Sequence, residues 1–258
     1  METRQPLSVT LIAFNEEKRI RAALESVKWA DEIVVIDSGS TDRTVEICRA
    51  YTPHVHQMAW HGYVDQKNLA TANTSHDWVL NIDADERVSD ALAQKLRQIL
   101  AQTPQYAGYF MPRKTYYLGA WIRYCGWYPD YKLRLFDKRL GQWVGQALHE
   151  KVQVEGPTAY LQHDLYHDTY EDIADHLRAM NSYTTIAASQ KTTAISGAGI
   201  LFRTGGTFLK KYLLQQGFRD GTRGVIVSLL AACTVAAKYA KLWERQHVES
   251  ERPTQHDL

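Results

Sequence analysis

Four consecutive β-branched residues, Ile33-Val34-Val35-Ile36, narrow the folds open to this chain more than any other stretch. A run with no polar alternation suits a strand buried on both faces, as in parallel sheets covered by helices on each side. The flanking sequence keeps the same rhythm. Residues 7–14 form an earlier apolar run, and residues 16–27 place Ile20, Ala23, Leu24 and Val27 at helical spacing. Helical spacing returns over 42–51 through Val45, Ile47 and Ala50, and again over 64–72. Residues 54–58 read as a weak strand and 78–82 as a further one. Ser89 is a good N-cap for a helix carrying Leu92, Leu96, Ile99 and Leu100. This βα alternation predicts an α/β fold, a mostly parallel sheet with helices on both faces.

Ligands of such sheets bind at the carboxyl ends of the strands. Asn15, Asp37, Asp83 and Asp85 all fall there. The segment Asn81-Ile82-Asp83-Ala84-Asp85-Glu86 sets two carboxylates, separated by a small residue, at the end of an apolar strand. An unpaired buried carboxylate is costly, and a divalent cation with a diphosphate is an apt neutralising partner. Alone, the Asp-x-Asp pattern also arises by chance in loops and helix caps. In Ile36-Asp37-Ser38-Gly39-Ser40-Thr41-Asp42, Gly39 permits a tight turn and Ser40 or Thr41 can cap the next helix. Asp37 is then left facing the cleft, although ordinary capping accounts for these residue types equally well.

A chain of 258 residues is long enough for one large domain with an appendage. Its net charge of +1 gives no whole-chain case for nucleic-acid binding. Three cysteines far apart, with no C-x-x-C pair, suit a reducing compartment without a disulfide framework. The first apolar run is too short for a signal-peptide core, and no segment reaches the roughly 20 apolar residues of a membrane span. Residues 108–168 are crowded with Tyr, Trp, Gly and Arg in short strands, as expected of a region that receives a second substrate. From residue 170 the chain reads as helices. Between 197 and 245 stand eight Lys or Arg against two acids, Asp220 and Glu244. The same stretch carries an apolar run over 225–237 broken by Ser228 and Thr234. This is a basic amphipathic hairpin joined near 217–224, too short to span but suited to an anionic membrane interface. Packing on the catalytic domain, or a homo-oligomer contact, is the plainer alternative.

Ala13-Phe14-Asn15-Glu16-Glu17, Val35-Ile36-Asp37-Ser38-Gly39-Ser40-Thr41-Asp42 and the Asp83–Asp85 segment occur in an order that resembles the family 2 glycosyltransferases. These have the GT-A fold and use nucleotide-sugar donors. The resemblance covers roughly residues 6–165. It implies a catalytic domain over 1–168 (donor half 1–105, acceptor half 106–168); beyond it the residues themselves read as a helical, membrane-associating region over 169–246 and a polar tail over 247–258. Phe14, Asn15, Glu16 and Asp37 would hold the nucleoside. Gln66-Lys67-Asn68 looks like the family's basic-Asn helix start, so Lys67 would touch the base or a phosphate; the alternative is a solvated helix lysine. Asp85 would bind Mg2+ or Mn2+, and Asp83 the ribose, or the metal through water. The run from His163 to Asp168 resembles the family's late His motif, with His167 preferred to His163. The base would be Glu150, about 65 residues beyond the Asp-x-Asp, with Asp130 second; here the family's frequent Glu-Asp pair is His149-Glu150. Arg134 would bind donor phosphate or make a structural ion pair. In Lys132-Leu133-Arg134-Leu135 alternation puts the basic residues on one strand face and both leucines on the other.

The aromatic and basic segments 113–122 and 126–136, with Leu148-His149-Glu150, are similar to bacterial lipopolysaccharide inner-core β-glucosyltransferases. That likeness implies inverting, metal-dependent transfer from UDP-glucose to a heptose. The acceptor would be a lipid-anchored saccharide at the cytoplasmic face of the inner membrane, the enzyme lying peripherally there. A polyprenyl-phosphate or another envelope saccharide is an alternative acceptor. A sugar nucleotidyltransferase would carry a Gly- and Arg-rich loop after the first strand, and residues 13–17 do not. A non-catalytic nucleotide-sugar binder would not need the acidic motifs intact.

Overall fold

The computed structural model describes residues 4–145 and 150–248, so His149 lies outside the described residues. The chain divides into two compact units: residues 1–116 with 129–169, and residues 117–128 with 170–258. Segment 117–128, read from the sequence as part of the acceptor half, groups with the helices.

In the first unit the elements run β1 (Leu7–Ala13), α1 (Ile20–Val27), β2 (Glu32–Asp37), α2 (Thr44–Arg49), β3 (Val55–Gln57), α3 (Tyr63–Ala72), β4 (Trp78–Asn81), β5 (Glu86–Val88), α4 (Asp90–Leu100) and β6 (Gly108–Tyr117). After β7 (Ala120–Trp121) come β8 (Asp130–Asp137), β9 (Gly141–Val144), β10 (Lys151–Val154), β11 (Thr158–Tyr160) and β12 (Leu165–Asp168). The sheet is ordered β3-β2-β1-β4-β8-β6-β12-β5, with β11 beside β6. Strands β3, β2, β1 and β4 are parallel. The far half is mixed: β8 runs antiparallel to both β4 and β6, and β5 antiparallel to β12.

Burial explains the layers. Leu7, Val9, Leu11 and Ala13 alternate along β1 and pack with Ile20, Leu24, Leu92 and Leu96 of α1 and α4. Helix α3 packs on β1 and β2 but its buried residues lie outside that cluster, so it covers the other face. That face is partly polar, and Asn81 Nδ2 donates to Thr10 Oγ1 at 2.9 Å between neighbouring strands. Ser89 caps α4 as expected, accepting from the Leu92 N–H. The alternation expected in β8 breaks down. Tyr109 pairs with Leu135 and Phe110 with Leu133, so Arg134 is the extra residue of a β-bulge. Leu135 joins the main core, whereas Leu133 packs with Phe136, Trp143 and Val152.

In the second unit α5 (Ile173–Ser189) and α6 (Gly197–Leu209) both pack on α7 (Thr222–His247). A π-helical turn, Lys210–Leu214, and a 3-10 turn, Gly217–Asp220, join α6 to α7. Gly224 lies so close to this turn that a Cβ on it would sit 1.7 Å from the Gly217 carbonyl oxygen. Lys241 of α7 ties down α5 through Asn181, Thr184 and Thr185. One sequence expectation is corrected here. Helix α7 is unbroken for 26 residues and holds an 18-residue window of mean hydropathy 1.6, long and apolar enough to cross a membrane. Thr234 does not interrupt it, because its hydroxyl bonds back to the Leu230 carbonyl.

Candidate active site

Three strand ends build the site. Beyond β1, Phe14 is 56% exposed. Asn15 turns the chain with φ 55°, its N–H donating to Ser40 Oγ and its Oδ1 accepting from the Thr41 N–H. The Glu16 N–H donates to Thr44 Oγ1 at 2.7 Å. These bonds lock the β1 loop onto the β2 loop. Asp37 plays a different part from the one expected. Its carboxylate is fully buried and accepts from the Gly39 N–H, the Ser40 N–H and the Ser40 hydroxyl. It therefore shapes the β2 loop from within.

The second turn of α3 sends three consecutive side chains to different segments of the unit. Gln66 Nε2 donates to Ser38 Oγ and the Ala59 carbonyl. Asn68 clamps the Trp143 backbone, donating to its carbonyl and accepting from its N–H, both at 2.9 Å. Between them Lys67 is buried, not solvated. Its ammonium lies 2.9 Å from Asp83 Oδ1, 3.4 Å from Glu150 Oε1 and 4.3 Å from the centre of the Trp143 ring.

Asp83 is the hub of an ionic network. Arg134 NH2 donates to Asp83 Oδ2 at 2.5 Å and to Glu86 Oε1 at 2.7 Å. Fully buried Glu86 also receives Arg113 NH1 at 3.4 Å, and its Oε2 accepts the Asp83 N–H at 3.0 Å. Burial alone would raise the Asp83 carboxyl, but Arg134 and Lys67 outweigh it and hold Asp83 well below the usual carboxylate range. The same pairing, against the opposing effect of burial, holds Arg134 above its ordinary value. With its guanidinium engaged by two carboxylates, Arg134 matches the structural ion pair more closely than the phosphate ligand.

Asp85 sits in different surroundings. His167 Nε2 stands 3.2 Å from Asp85 Oδ2, and the His167 ring is oriented by Thr115 Oγ1 at 3.2 Å from Nδ1. Antiparallel pairing of β12 with β5, which sets His167 opposite Glu86, brings the two together. The Asp168 N–H fixes the Asp85 carbonyl at 2.9 Å. No group of three His, Cys, Asp or Glu able to hold a metal occurs among the described residues. One carboxylate and one oriented imidazole nevertheless suit a divalent cation that takes its other ligands from a diphosphate and water.

The two candidate bases differ. Asp130 is paired with Arg113 at 2.7 Å and Lys132 at 3.1 Å. Burial opposes these cations, but together they hold its carboxyl below the ordinary value. Glu150 stands beside the Lys67 ammonium at the longer distance of 3.4 Å. Sequence periodicity singled out neither Glu86 nor Arg113. The only sign of Glu86 was a third acid directly after the Asp-x-Asp pair.

The family model "Glycosyl transferase family 2" matches residues 8–152, more than half of the chain. The chain belongs to glycosyl transferase family 2. The lipopolysaccharide core biosynthesis glycosyltransferase LpsC of Rhizobium meliloti is 29% identical over 100% of this chain and 98% of its own length. An uncharacterized glycosyltransferase of Rickettsia typhi is 29% identical over 92% of this chain and 87% of its own. Among solved structures, S. aureus TarS 1-349 in complex with UDP-GlcNAc covers 95% of this chain and 92% of its own at 15% identity and TM-score 0.49.

Proposed function

We propose that the chain is an inverting, metal-dependent hexosyltransferase that moves glucose from UDP-glucose to a heptose of the lipopolysaccharide inner core. Membership of the family and full-length similarity to a lipopolysaccharide core biosynthesis enzyme support this reading. The observation that carries it is the division of labour after β4: Asp83 is neutralised by Lys67 and Arg134, while among the described residues Asp85 pairs with an oriented histidine alone.

Phe14 and the loop locked by Asn15 and Asp37 would receive the nucleoside, with Glu16, Lys67, Asp83 and Arg134 shaping the donor end. Asp85 and His167 would hold Mg2+ or Mn2+, which neutralises charge on the diphosphate. Glu150 takes the proton of the acceptor hydroxyl. That oxygen bonds to the anomeric carbon from the face opposite the leaving group, the bond from carbon to the diphosphate oxygen breaks, and UDP departs with the electron pair. The pairing of Asp130 with two cations makes Asp130 the weaker base.

The second unit supports peripheral attachment to the anionic inner face of a bacterial membrane. Helix α6 buries none of its residues, and Leu201, Phe202 and Leu214 are 76%, 82% and 80% exposed in a stretch rich in Lys and Arg. Asp220, one of its two acids, is turned inward to the Arg123 and Tyr124 N–H groups. Sedimentation with vesicles tests this. Phosphatidylglycerol vesicles should carry the protein down and phosphatidylcholine vesicles should not; Phe202→Glu with Leu214→Glu should release it. Self-association in place of vesicle binding would assign the face to a second copy.

A further inference from the structure

We propose that the helical unit contains a second binding site, for a small amphipathic anion: an apolar group carrying a phosphate or a carboxylate. A cavity of about 300 Å³ opens between α5, the end of α6 with its π turn, and α7. That volume is at the lower end of the range for small-ligand pockets. Val227 and Ala231, one turn apart on α7, and Trp127 give it an apolar wall.

Two polar groups at this wall, Lys211 and His176, are the donors. Lys211 reaches the cavity from the π turn, whose extra residue is marked by the bond from the Gln215 N–H to the Lys210 carbonyl five residues back. Such turns recur at functional sites. The Lys211 ammonium donates to the Cys125 carbonyl at 2.9 Å, and among the described residues no carboxylate pairs with it. Burial pushes its pKa down, outweighing the opposing effect of the Cys125 thiol. His176, the second polar group, has Nδ1 2.9 Å from the Tyr117 hydroxyl. With that hydroxyl as donor, the neutral ring carries its proton on Nε2. The lining hydroxyls of Thr207 and Thr234 give their hydrogens to the Arg203 and Leu230 carbonyls. A half-buried cation held by a carbonyl, with no carboxylate partner among the described residues, beside an apolar wall, selects an anion with an apolar body. All these residues belong to the helical unit, so the site does not depend on the sugar-transfer reading.

Isothermal titration of the full chain with four probes tests it: decyl phosphate, decanoate, the uncharged decyl glucoside and inorganic phosphate. The two charged amphiphiles should bind saturably at one per chain, about tenfold or more tighter than either of the others. A preference for decyl phosphate over decanoate would identify a phosphate head, and the reverse a carboxylate. Lys211→Met should abolish the preference for charge. Ala231→Phe, which fills the cavity and leaves the outer surface unchanged, should abolish binding; Ala231→Leu serves if circular dichroism shows the larger variant misfolded. Absence of saturable binding, or undiminished binding in the filled variants, would overturn the proposal.

Discussion

Removing the Glu86 carboxylate is the sharpest perturbation of the ionic network. Glu86 is fully buried and accepts three hydrogen bonds: from Arg134 at 2.7 Å, from Arg113 at 3.4 Å and from the Asp83 N–H at 3.0 Å. Hydrogen bonds to charged groups are each worth about 1.5–3 kcal/mol, and breaking a buried ion pair costs about 3–5 kcal/mol. Arg134 retains Asp83 and Arg113 retains Asp130, so the losses do not sum in full. Glu86→Ala is expected to lose about 3–5 kcal/mol. Glu86→Gln keeps the shape and an acceptor oxygen and should lose about 1–3 kcal/mol. At about 2–4 °C per kcal/mol for a chain of this size, Glu86→Ala should melt about 6–20 °C lower. Urea unfolding followed by circular dichroism measures both variants, and a Glu86/Arg134 double-mutant cycle isolates the pair. A loss below about 1 kcal/mol, the range of an exposed ion pair, would refute the network.

Asp85→Asn should weaken Mn2+ binding in the presence of UDP, measured by titration calorimetry, while Asp83→Asn should chiefly lower the melting temperature. Asp130 has a depressed pKa in the folded state, so its contribution is complete above the unfolded value of about 3.9 and is lost as pH falls through and below it. The stability gap between wild type and Asp130→Asn should accordingly be widest near neutral pH and close below about pH 4, as urea midpoints would record. Gly224→Ala, which drives a methyl into the Gly217 carbonyl, should cost about 3 kcal/mol or more. Gly197→Ala, with open space around it, should change stability by less than about 1 kcal/mol; equal melting temperatures for the two variants would contradict the packing of α7.

The donor half was legible in the sequence because β1, β2 and β4 are short apolar runs with helical periods after them. Ile33-Val34-Val35-Ile36 and the Ser89 cap are the plainest cases. Strand β5 was not legible: Glu86-Arg87-Val88 is three residues long and exists because β12 pairs with it. That pairing sets His167 next to Asp85, a contact spanning about eighty residues that no local period encodes. The bulge at Arg134 was hidden for a similar reason, since alternation continues through it in sequence while its register shifts against β6. The loop bonds of Asp37 were hidden because a strand-end carboxylate looks the same in sequence whether it points at a ligand or folds back onto its own turn. The length of α7 was underestimated because two hydroxyl residues were counted as breaks in its apolar run.

Sugar transfer by the groups around β4 is tested most directly by one assay. Wild type, Asp85→Ala and Glu150→Gln are each incubated with a panel of UDP-sugars and heptose-terminated core lipopolysaccharide, and products are read by mass spectrometry. Wild type is predicted to add one hexose from UDP-glucose and release UDP. Asp85→Ala should lose transfer together with donor binding, and Glu150→Gln should lose transfer while still binding UDP. Release of pyrophosphate, binding without turnover in wild type, or full activity of Glu150→Gln would contradict the account.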